Sequence, residues 1–60
     1  MEAIVRVRYQ DRGGLVREER LVEVYVGHGP VEEDAAVLAA VEEMEERWVG
    51  GDVIVSVRAD

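Results

Sequence analysis

Cysteine is absent from this chain, so neither a disulfide nor a thiolate metal site is available to it. Histidine occurs once, at position 28, which leaves too few ligands for a structural zinc site within one chain. Lysine, threonine, asparagine and phenylalanine are also missing, and all seven cations are arginine. Seven cations against 14 acids give a net charge of −7, without the clustered positive charge that phosphate binding needs. Nucleic acid is therefore not an expected partner. No run approaches the roughly 18 apolar residues of a membrane span, and nothing resembles a cleavable signal, so a soluble chain is expected and a membrane is not.

What is present is valine, at 13 of 60 positions. A GC-rich genome would produce that bias, and so would a computed sequence drawn from a restricted alphabet. Residues 1–60 make a single domain, which buries only about 60% of its unfolded surface and so has a thin margin of stability. Without a disulfide or metal, regular packing and self-association remain as sources of that stability. Charge is divided unevenly along the chain. Residues 1–26 hold five Arg and five acids, whereas residues 27–60 hold Arg47 and Arg58 against nine acids.

Met1 to Gln10 alternates, with Ala3, Val5, Val7 and Tyr9 on one side and Glu2, Ile4, Arg6 and Arg8 on the other. Period two with β-branched residues predicts a strand. Asp11-Arg12-Gly13-Gly14 is a turn signal, because paired glycines supply positive φ, and Leu15 to Val26 reads as a second strand. A two-residue turn at Gly13-Gly14 pairs residues whose numbers sum to 27. Val5 then faces Val22, Ala3 faces Val24 and Arg8 faces Glu19, which separates an apolar face from a charged one. A four-residue turn, with partners summing to 25, is the alternative.

Pro30 suits a first helical position, with Glu32, Glu33 and Asp34 in the first turn, where the helix dipole favours acids. Val37, Val41, Met44 and Trp48 form an apolar stripe beside Ala40, with Glu42, Glu43 and Glu46 away from it. Gly50 and Gly51 end the helix in the manner of a left-handed cap. Val53 to Val57 is a third strand with Val53, Val55 and Val57 on one face. The expected fold is α+β, in the order ββαβ. A right-handed crossover sets one helix on one sheet face, with strand order 2-1-3 expected and 1-2-3 the alternative.

Few residues invite a chemical reading. His28 is the one near-neutral titrating group, but its only candidate nucleophile is Ser56, on the face opposite the valines. Gly27-His28-Gly29-Pro30 ahead of a helix has the form of an anion loop, yet Glu32 to Asp34 would repel phosphate. Glu42 and Glu46, four apart, have the spacing to bridge a hard cation, but lack converging ligands. Trp48 and Met44 read as core rather than as a ligand pocket. No catalytic residue, cofactor, metal or small-molecule ligand is expected. The sheet's second face is the more informative feature. Ile4, Leu21, Tyr25 and Ile54 point outward there, with Ile4 and Ile54 expected as neighbours, and such a cluster marks a self-association surface.

The turn Asp11-Arg12-Gly13-Gly14, the helix start Gly29 to Ala36 and the exit Trp48-Val49-Gly50-Gly51-Asp52 resemble segments of computationally designed α/β mini-proteins. The resemblance is one of style across the whole chain and carries no site residues. It implies local choices that agree with the global fold, often without biological activity. The lack of lysine departs from the usual designed surface. The expectation is a scaffold-like, non-catalytic domain that forms a homo-oligomer. The alternative is a natural acidic module, similar to an inhibitor or antitoxin, whose helix docks on a basic protein.

Overall fold

A computed structural model of the chain describes residues 1–27 and 29–58. Strand β1 (Glu2–Gln10) and strand β2 (Val16–Tyr25) form a hairpin. A short 3-10 turn (Val31–Glu33) leads into helix α1 (Ala35–Arg47), and strand β3 (Asp52–Arg58) completes the chain. The sheet order is β2-β1-β3, with both outer strands antiparallel to β1. This is the expected ββαβ arrangement with β1 at the centre.

The hairpin keeps the apolar register along most of its length. Partners run from Glu2↔Tyr25 through Val5↔Val22 to Tyr9↔Glu18, all summing to 27. Next to the turn the pairing slips to Gln10↔Val16, skipping Arg17. The turn explains the slip. Gly14 N–H donates to the Asp11 carbonyl and Asp11 N–H to the Leu15 carbonyl, both at 2.9 Å, closing a loop one residue longer than a two-residue turn. Only Gly14 of the glycine pair takes positive φ, at 86°. The Asp11 carboxylate holds the loop by accepting N–H bonds from Gly13 at 3.0 Å and Leu15 at 2.9 Å. The bulged Arg17 closes on the same group, its Nε 2.9 Å from Oδ2.

Both helix ends differ from the expectation. Pro30 precedes the 3-10 turn rather than opening α1, and Asp34 is the α1 N-cap, its Oδ1 accepting the Ala36 N–H at 2.9 Å. An aspartate at the boundary satisfies a free helix N–H directly, which is why it ends the 3-10 turn and starts the helix. At the other end Trp48 is already extended (φ −122°), its N–H bonded to the Met44 carbonyl. The helix therefore stops at Arg47, with Trp48 and Val49 between it and Gly50, and the positive φ of Gly50 (89°) serves the turn into β3. Gly51 is a glycine for lack of space. A Cβ there would fall against the Gln10 carbonyl oxygen and 2.6 Å from Tyr9 Oη.

Val5, Val7, Tyr9 and Val24 from the sheet meet Val37, Ala40 and Met44 from the helix in the buried core. Ala3, Val22, Val31, Val41, Trp48, Val53 and Val55 pack around it, half-buried. The two periodicities, two in the strands and about 3.6 in the helix, converge on one apolar layer.

Candidate functional site

The residues that invite a chemical reading are scattered through the fold. His28 lies outside the described residues. Ser56 sits opposite Arg6, on the face away from the helix. The loop before the helix does not deliver Gly27 and Gly29 to a helix N-terminus, because Asp34 occupies the cap of α1. Glu42 and Glu46 are exposed, and among the described residues no group of three or more His, Cys, Asp or Glu is placed to hold a metal. Met44 is wholly buried core. Trp48 is half-buried and shares with Tyr9, Val41, Glu45, Gly51, Asp52 and Val53 an open groove of about 390 Å³.

The most organised polar cluster fastens the helix to β2. Glu18 and Arg20 fall on the helix side of the strand, in phase with Val22 and Val24. Glu18 Oε1 accepts the Trp48 indole N–H at 2.8 Å and Arg47 Nη1 at 2.6 Å, while its Oε2 lies 3.3 Å from Arg20 Nη2. Arg20 also pairs with Glu43 on α1. The indole hydrogen bond first, and then Arg47, hold the Glu18 carboxyl below its ordinary value, and Glu43 raises the Arg20 guanidinium. At the hairpin turn the Leu15 N–H, with Arg17 behind it, lowers Asp11 in the same way. These are binding energies spent within the fold, and they offer no vacant coordination or reacting atom.

The clamp was visible only in outline in the sequence. Glu18 and Arg20 break the apolar face of β2, and inward-facing charges at a strand edge are the signal that they meet partners or guard the edge.

Ile4, Leu21, Tyr25 and Ile54 lie on the sheet face away from the helix, as the alternation requires. Leu21 and Tyr25 are 55% and 57% exposed, whereas Ile4 and Ile54 are half-buried. Their mutual placement differs from the expectation. Ile4 stands between Glu23 and Arg58, and Ile54 stands next to Arg8, so the two isoleucines are four ladder positions apart, about 13 Å at the strand rise. The reason is the β1–β3 register, which is centred on Val7↔Val55. Between them Arg6 Nε approaches Glu19 Oε1 at 3.4 Å, and among the described residues neither Arg6 Nε nor Arg8 Nε has a hydrogen-bond partner. The face is a checkerboard of apolar and charged residues rather than one apolar cluster.

Leu38 on the helix and Val57 on β3 are also exposed, at 49% and 46%. No helix is long and apolar enough to cross a membrane among the described residues. In comparisons with known proteins, the chain matches no family model, no curated protein and no solved structure.

Proposed function

We propose that this chain is a non-catalytic, scaffold-like association domain that binds a second copy of itself through sheet surface left open by its single helix. One observation carries the reading. A three-stranded sheet has one helix to cover it, and large apolar side chains, Leu21, Tyr25 and Val57, stay exposed on its strands. A domain of this size has a thin stability margin, and burying such side chains against a copy adds to it, at roughly 1.5–3 kcal/mol for each one fully buried. A two-fold arrangement is the simplest, because one patch then satisfies both chains.

Light scattering on the purified chain over a range of concentrations tests this. A particle of twice the 6.7 kDa chain mass at micromolar to millimolar concentration is the expected result, and a monomer throughout overturns it. A second reading draws on the exposed acids Glu42, Glu45 and Glu46 of α1, which form a surface for a basic protein. Salt separates the two, since a docked basic partner is released at high ionic strength and apolar self-association persists.

A further inference from the structure

We infer that the self-association proposed above runs through the open edge of β3, on the side of Val57 and away from Leu21 and Tyr25 on β2, joining two chains into one six-stranded antiparallel sheet about a two-fold axis at Val55. The two edges of this sheet are not equivalent. On β2, Glu18 and Arg20 point toward the helix and are tied to it by Arg47, Trp48 and Glu43, and inward-pointing charges of this kind keep a strand edge from pairing with another. On β3 the helix-side residues are Val53, Val55 and Val57, with no charge or proline among them. Among the described residues β3 is paired on one side only, with β1.

The phase of the backbone shows what that edge offers. Val26 N–H donates to the Met1 carbonyl at 2.7 Å, which makes Met1 and Val26 a hydrogen-bonded pair. Such pairs alternate along an antiparallel ladder, so the odd residues of β1 turn their backbone groups to β2 and the even residues to β3. The even residues Ile4, Arg6, Arg8 and Gln10 stand opposite Arg58, Ser56, Ile54 and Asp52. Val53, Val55 and Val57 therefore aim N–H and C=O groups away from β1, at the open edge.

A second β3 fits that edge in an antiparallel register centred on Val55. Val55 meets Val55, Val53 meets Val57 in both directions, and about six backbone hydrogen bonds form. The same register places Asp52 of each chain opposite Arg58 of the other and Ile54 opposite Ser56. The strand is thus self-complementary in charge, backbone phase and face. The axis stands perpendicular to the sheet, so both helices lie on the same side. The ion pairs and the indole bond tie α1 to β2, while Val41 lines a groove with Asp52 and Val53 of β3 and Val57 stays exposed, on the side where the two copies would meet.

The test uses the whole chain, made by chemical synthesis where needed. N-methylvaline at position 55 keeps every side chain and the ladder to β1, and removes only the outward N–H at the axis. We expect the dimer dissociation constant to rise by at least about tenfold, the size of one or two lost hydrogen bonds. A second measurement does not depend on that variant folding. The swapped chain D52R/R58D has the same net charge as the parent. It should dimerise with itself and, mixed with 15N-labelled parent in native mass spectrometry, form fewer mixed dimers than random pairing gives. In hydrogen exchange, the amides of Val53, Val55 and Val57 should gain protection as concentration rises. A parent that stays monomeric overturns both this inference and the reading it rests on. A parent dimer that pairs randomly with the swapped chain, and leaves the Val55 amide unprotected, overturns the edge alone. In that case loss of the dimer in Ile4→Glu or Ile54→Arg would assign it to the outer sheet face.

Discussion

Tyr9 and Trp48 stack with ring centroids 5.5 Å apart and planes 14° from parallel, joining the central strand to the residue that ends the helix. The Tyr9 hydroxyl donates to the Val49 carbonyl at 2.8 Å, and the Trp48 indole N–H reaches Glu18 on β2. The aromatic pair thus fixes where the chain leaves α1 and how it enters β3.

Trp48→Ala should cost about 3 kcal/mol, the lower end for a core tryptophan because this one is half-buried. That is a large share of the stability expected for 60 residues, about 3–9 kcal/mol, so the variant should unfold at a much lower urea concentration than the parent. Trp48→Phe keeps a ring on Tyr9 and loses the indole bond, and should fall between parent and alanine variant. Urea unfolding followed by circular dichroism checks the order. An alanine variant as stable as the parent would show that the stack contributes nothing.

The two glycines before β3 should respond differently to alanine. Gly50 has φ +89° with its nearest neighbour, Arg12 Nε, at 3.6 Å, so Gly50→Ala carries only the left-handed strain, about 1–2 kcal/mol. Gly51 has ordinary φ but no room, and Gly51→Ala must displace the Gln10 backbone or the Tyr9 ring. A loss of about 3 kcal/mol or more is expected for it. Equal losses at both positions would contradict the space argument.

The sequence carried the fold further than it carried the site. Alternation in β1 and β2 set the faces and the main hairpin register, because a one-residue slip would put Glu23 against Ala3. It did not show the bulge at Arg17, since the loop length depends on Asp11 accepting two backbone N–H groups and one guanidinium at once. Pro30 looked like a helix start because its missing N–H is harmless there, but proline suits a 3-10 turn for the same reason. The adjacency of Ile4 and Ile54 failed because the β1–β3 register is a long-range property, and no hairpin turn fixes it. The inequality of the two edges was present as a pattern in Glu18, Arg20 and the β3 valines, and acquired meaning only with the strand order.

Asp34→Ala should cost about 1 kcal/mol, the usual value for a lost N-cap, because the Ala36 N–H then has no side-chain acceptor. Asp34→Ser or Asp34→Asn should recover most of the loss. Thermal melts of the three variants decide it. If alanine matches the parent, the 3-10 turn alone is enough to start the helix.

Stability should fall in acid partly through Glu18. Its carboxyl lies below the ordinary value of 4.5 in the fold because the Trp48 indole, and then Arg47, bond to the ionised form. A group lowered on folding stabilises the fold fully above its unfolded value and loses that contribution as pH falls through the folded value. Glu18→Gln isolates the effect, since the amide oxygen still accepts the indole N–H but cannot pair with Arg47 or Arg20. At pH 7 the parent should melt above the glutamine variant, even though the variant has one acid fewer and less self-repulsion. Between pH 4.5 and the folded value the two melting temperatures should converge, because protonated Glu18 then resembles glutamine. Asp11 is lowered in the same sense and is common to both chains, so it cancels in the difference. A gap that persists unchanged to pH 2 would assign the effect to packing rather than to the charge on Glu18.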